Sequence, residues 1–140
     1  PGGTAGGDHE LLRDGARGAR GDLLQLAYDK APEGRYGVLI SLDGAGRITQ
    51  HLPEEGVSQA PPLIPVREFR LPSAYELDDA PGFERFVLVT ASQPFATKAV
   101  IVAAHILSRQ GAAARLQALP LPTDFTQTSL SLNKMREGTP

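Results

Sequence analysis

The stretch Arg35-Tyr36-Gly37-Val38-Leu39-Ile40-Ser41-Leu42-Asp43-Gly44-Ala45-Gly46-Arg47-Ile48-Thr49-Gln50-His51-Leu52 decides the fold class. Tyr36, Val38, Ile40 and Leu42 recur at every second position, which places them on one face of an extended chain. Asp43-Gly44 then breaks the alternation. Asp-Gly between two alternating runs is a hairpin signal, because glycine reaches the positive φ that tight turns require. The return run 47–52 closes at Pro53. The expectation is a β-hairpin over 35–52 in which Gly44 takes the positive φ.

Upstream, Leu24, Leu26 and Tyr28 alternate through a strand over 22–29, and Leu11-Leu12 is a weaker apolar piece beyond a loop that holds Gly15, Gly18 and Gly21. Residues 1–8 are Gly-rich and read as a tail or linker, leaving residues 9–140 as a single β-rich domain. Downstream, Pro53, Pro61, Pro62 and Pro65 make 53–65 an extended loop, because proline removes a ladder donor. An edge strand is expected over 66–71, ending at Pro72, and a turn over 78–82. Residues 84–91 are apolar on both faces, as in a central strand. From Thr97 to Arg109 the period changes to that of a helix, with Thr97 as N-cap and Gly111 as stop. Its inner face is expected to comprise Ala99, Val100, Ala103, Ala104, Ile106 and Leu107. Lys98, His105, Ser108 and Arg109 lie opposite, together with Ile101 and Val102. Alternation resumes over 126–133 with Leu130 and Leu132, so a last strand returns to the sheet. The fold class expected is mainly β with one C-terminal helix (α+β): a small β-sandwich, or a twisted antiparallel sheet of about five to seven short strands with a helix packed on it.

Composition narrows the chemistry. The 140 residues suit one domain, which can bury about two-thirds of its unfolded surface without disulfides or metal. The absence of cysteine removes thiol catalysis, thiolate-bound zinc and iron–sulfur clusters. A net charge of −2 with mixed signs gives no footprint for nucleic acid or an anionic membrane. The apolar run Ala99–Ala104 is far short of the ~20 residues of a membrane helix. Eleven Arg against three Lys reads as the bias of a GC-rich genome.

Each candidate chemical group has an ordinary structural reading beside it. His9, His51 and His105 lack a second ligand at metal spacing and read as surface or rim residues, with His51 on the polar face of its strand. Asp78 and Asp79, near Glu76 and Glu84, could offer oxygens to Ca²⁺, but they lack the spacing of a calcium loop and suit a turn. No Gly-x-Ser-x-Gly elbow surrounds any serine, and the glycine clusters lack the Lys-Ser/Thr ending of a phosphate loop. Arg20-Gly21-Asp22 matches an adhesion tripeptide, but one tripeptide is a weak signal and Gly-Asp opening a strand is sufficient to explain it. Tyr28 and Tyr36 continue apolar stripes and read as core. Ile101 and Val102, with His105 beside them, form the candidate partner patch: apolar residues among polar ones on the outward helix face.

Three stretches carry a family likeness: Gly21-Asp22-Leu23-Leu24-Gln25-Leu26-Ala27-Tyr28; Tyr36-Gly37-Val38-Leu39-Ile40-Ser41-Leu42-Asp43-Gly44 running to His51-Leu52-Pro53; and Leu71-Pro72 through Tyr75-Glu76-Leu77-Asp78-Asp79-Ala80-Pro81-Gly82-Phe83-Glu84-Arg85-Phe86. Together they resemble a bacterial domain of unknown function found in envelope-associated, ActD-like proteins, over roughly 11–134. The resemblance implies a small β-rich domain outside the membrane, C-terminal to a membrane helix and a short anti-sigma-like zinc-finger segment. It brings no catalytic residue. A chain that begins Pro1-Gly2-Gly3 is read as tethered through a preceding segment. The function expected is a non-enzymatic, extracytoplasmic binding or sensing module of the periplasm or cell envelope. It would take no cofactor and no metal. Its partner would be a protein or envelope component, with homo-oligomers an option and nucleic acid excluded. The alternatives are a structural subunit of an envelope assembly, and a hydrolase assembled from distant segments with His51 or His105 beside an acid.

Overall fold

The computed structural model describes residues 10–13, 18–19, 23–29, 34–64, 69–76, 83–111, 114 and 116–135. The protein is mainly β: a four-stranded antiparallel sheet plus one helix form its centre. The strands are β1 (Glu10–Arg13), β2 (Gly18–Ala19), β3 (Leu23–Asp29), β4 (Tyr36–Asp43), β5 (Ile48–Leu52), β6 (Phe69–Glu76), β7 (Phe83–Ala91) and β8 (Thr126–Met135), with helix α1 (Thr97–Ser108) before the last. Among the described residues the helix is therefore the penultimate element, and the strands include the two-residue β2. The antiparallel order is β8-β7-β4-β5, and β2 runs parallel along the outer edge of β8. A second sheet has the order β1-β3-β6, also antiparallel.

All nine residues of β7 are buried, as a central strand requires. Alternate side chains enter two separate cores. Phe83, Val87 and Val89 pack with Val38, Ile40 and Leu42 of β4 and with Val100, Ala103, Ala104 and Leu107 of the helix. Phe86 and Leu88 point the other way and pack with Leu39, Leu132, Leu63 and Tyr28 of β3. Alternation in β4 predicts one buried face, but Gly37 through Asp43 are all buried. The second face is covered because Tyr28 and Leu63 close over Leu39. Gly37 allows this approach: a Cβ there would meet the Leu63 side chain at 2.8 Å.

The hairpin forms over β4 and β5, with a different turn chemistry. Asp43 N–H donates to the Arg47 carbonyl and Gly46 N–H to the Asp43 carbonyl, which makes a three-residue loop. The positive φ, 87°, falls on Gly46 and not on Gly44. A turn followed by a left-handed residue is the usual solution for this loop length. The Asp43 carboxylate reinforces it by accepting the N–H groups of Ala45 and Arg47 on Oδ1, each at 2.9 Å.

Two further differences have local causes. The strand expected to stop at Pro72 continues to Glu76. Its pairing with β3 shifts there, so that Leu71, Pro72 and Ser73 stand opposite the single Leu26. A bulge on an edge strand is where a residue without an N–H is tolerated. At the start of the helix the cap residue is Ala96, without a side-chain cap, and Thr97 is buried. The proline-rich loop replaces the cap: the Ser58 carbonyl accepts Thr97 N–H at 2.9 Å, and Gln59 bridges to Ala96.

The buried helix face is Thr97, Val100, Ala103, Ala104 and Leu107. It is rotated by about 40° from the arc expected at 100° per residue. Ile106 and Ala99 consequently face outward, and Ile101 packs partly buried against the core. The tail 1–8, the Arg20-Gly21-Asp22 tripeptide, His9 and the turn bearing Asp78 and Asp79 lie outside the described residues.

Three substitutions test this fold by chemical denaturation. Gly46→Ala should cost about 1 kcal/mol or more, and Gly44→Ala less than about 0.5 kcal/mol. Leu107→Ala should cost about 2 to 5 kcal/mol, since its side chain fills the helix–sheet core.

Candidate functional site

Polar side chains on the central sheet are drawn inward. On the face opposite the helix, His51 Nε2 lies 2.8 Å from Ser41 Oγ. Its ring sits 5.6 Å from that of Phe86, tilted by 45°. A bulge produces this arrangement. Leu39 pairs with Leu52 and Ile40 with Gln50, so His51 is the extra residue of β5. A bulged strand re-aims a side chain that regular alternation would send elsewhere. Here His51 and Leu52 both reach the Phe86 side, and His51 is half-buried instead of lying on a polar face. Burial holds its imidazole well below the ordinary 6.5, at about 4. It is therefore neutral at physiological pH, with Ser41 hydrogen-bonded to it.

A hydroxyl hydrogen-bonded to a neutral imidazole is the first half of a nucleophile–base pair. Ser41, however, is 0% exposed in the middle of β4. On the same face, Asp43 and Glu84 are directly opposite one another on β4 and β7, and both are buried. Asp43 Oδ1 holds the hairpin turn. Among the described residues, no group of three or more His, Asp or Glu could hold a metal ion.

On the helix side Arg85 is buried. Its Nε and Nη2 donate to Ser129 Oγ at 3.2 and 2.8 Å, and Nη1 to the carbonyls of Ala114 and Gln117 at 3.1 and 2.6 Å. Desolvation lowers its pKa from the ordinary 12.5. Arg35 donates to the Thr90 and Thr126 hydroxyls at 2.7 and 3.1 Å, which clamps the end of β7 to β8. Tyr28 Oη accepts the Ile64 N–H at 2.8 Å, and burial raises the phenol pKa above 10. The aromatic residues with described side chains serve packing. Phe83 and Phe86 are buried, while Tyr36, Phe95 and Phe125 lie against the helix-side core.

The outward helix surface is the other candidate. Val102 is 45% and Ile106 46% exposed, and Lys98, His105 and Arg109 surround them. At 100° per residue these five occupy one arc of about 100°. Of the expected patch, Val102 and His105 face solvent, whereas Ile101 leans on the core. Ile106 takes its place. The sequence contains the signal in the i, i+4 spacing of Val102 and Ile106, but the expected inner arc, turned by about 40°, takes in Ile106.

Comparison with protein-family models, with curated proteins and with solved structures finds no match for the chain.

The depressed His51 pKa makes a pH prediction. As pH falls through 6.5, the unfolded state takes up a proton that the folded state refuses until about pH 4. Stability is lost over that window, at no more than about 1.4 kcal/mol per pH unit. Between pH 7 and pH 5 the wild type should lose about 1 to 2 kcal/mol more than His51→Gln in denaturant melts. In an NMR titration the His51 ring should remain neutral at pH 5.

Proposed function

We propose that the chain is a non-enzymatic binding module of the bacterial cell envelope, of the ActD-like kind, held outside the cytoplasm through a preceding segment. The pair of sheets is read as a small β-sandwich with the helix on its outer side, an architecture supported by Tyr28 of β3 packing on Phe86 and Leu88 of β7. The observation that carries the functional reading is the outward arc of α1, where exposed Val102 and Ile106 stand among cationic Lys98 and Arg109. Two branched apolar residues at i, i+4 on an ordered helix are a docking stripe for a protein partner. The inward direction of the polar groups supports the same reading. Ser41 and His51 brace two strands, Asp43 holds a turn, and Arg85 anchors a loop.

Photocrosslinking in the cells of origin tests this proposal. A photoreactive residue at Val102 or Ile106 should yield a discrete crosslinked protein in the envelope fraction. The same residue at exposed Asp124 should not. Equal or absent products at all three positions would remove the helix face as a binding surface.

A further inference from the structure

Resting on that reading of the helix face, we propose that its occupant is a second copy of this chain, whose Glu54–Val57 loop docks on the outer stripe of α1. The helix supplies one half of the complementarity. No Asp or Glu occurs between Glu84 and Asp124, so Lys98, His105 and Arg109 flank Val102 and Ile106 without a neighbouring acid on the same element. The loop supplies the opposite half. Glu54, Glu55 and Val57 are all exposed, Val57 at 42%, so two carboxylates stand beside one branched apolar side chain. One surface is basic with an apolar centre and the other is acidic with an apolar tip. Lys98, Arg109, Glu54 and Glu55 form no ion pair among the described residues.

The loop is ordered for this role. Gln50 Nε2 lies 3.0, 3.1 and 3.0 Å from the carbonyls of Pro53, Glu54 and Val57. Val57 N–H donates to the Glu54 carbonyl at 3.1 Å, and Gly56 takes a φ of 97° that closes the turn. The side chains at its tip are therefore presented by a backbone already fixed, which lowers the entropic cost of docking. The two surfaces also adjoin. Ser58, next to Val57, accepts the N–H of Thr97, next to Lys98, at 2.9 Å. Adjacent complementary patches allow a single two-fold contact to use each patch twice, loop on helix and helix on loop. An anionic membrane would engage the same cations, but it would leave the acidic loop beside the helix facing a like charge.

Sedimentation equilibrium up to about 1 mM, at low and high salt, reads the outcome. The wild type should dimerise, more weakly in high salt. Lys98→Glu with Arg109→Glu should weaken the dimer at least tenfold, and so should Glu54→Lys with Glu55→Lys. The chain carrying all four reversals should recover dimerisation to within about threefold of wild type, because both contacts regain opposite charges. All of these positions are exposed, and thermal melts should confirm that each variant is folded. A monomeric wild type overturns the proposal, as does a fourfold variant that fails to recover. A monomer that co-sediments with phosphatidylglycerol vesicles through Lys98 and Arg109 overturns it in favour of a lipid surface. If the chain is monomeric while Val102 still crosslinks a different protein in cells, the docking face stands and the self-pairing does not.

Discussion

A strand with nine successive buried residues has to be covered twice, and β7 sets that condition for the whole protein. Its odd-numbered residues need one roof and its even-numbered residues another. The helix provides the first through Val100, Ala103, Ala104 and Leu107, and Tyr28 and Leu63 contribute to the second. Neighbouring β4 inherits the same demand, because its residues pair with β7 one for one from Tyr36 to Asp43. Side chains that are buried on both faces leave polar groups no route to water. Ser41, Asp43, Glu84, Arg85 and Thr90 are therefore enclosed along with the apolar residues, and their hydrogen bonds become part of the architecture.

Several of those enclosed groups hold neighbouring strands and turns together. Asp43 accepts two backbone N–H groups and shapes the turn that joins β4 to β5. His51 and Ser41 tie the same two strands together one bulge further along. Outward, the proline-rich loop presents Glu54 and Glu55, and the helix presents Lys98 and Arg109.

The hairpin, the central strand and the helix were legible because each has a strong period, and period depends on burial of one side chain after another. Details fixed by a single backbone hydrogen bond were less so. Asp-Gly pointed to Gly44, whereas the Gly46 N–H bond to Asp43 moved the left-handed residue two places. The helix boundaries were readable, yet its rotation depends on contacts with β4 and β7 that a helical period alone does not encode. Exchanging Ile106 for Ile101 on the inner flank is the result. Strict alternation puts His51 on the polar face of its strand, and only the pairing of Leu39 with Leu52 reveals the bulge that turns it toward Phe86. Pro72 similarly reads as a strand end, and the strand passes it by a bulge.

Arg85 joins parts of the chain that are distant in sequence. It belongs to β7, but its guanidinium is satisfied by carbonyls at 114 and 117, in the segment that follows the helix, and by Ser129 of β8. A cation sealed among neutral oxygens has no inexpensive intermediate state: releasing any one strand of this grip leaves charge stranded in a medium that cannot solvate it. The segment leaving the helix is thus fastened to the central strand of the sheet. A surface displayed on the helix is therefore held to the sheet twice, by the shared core beneath it and by the anchored segment that follows it.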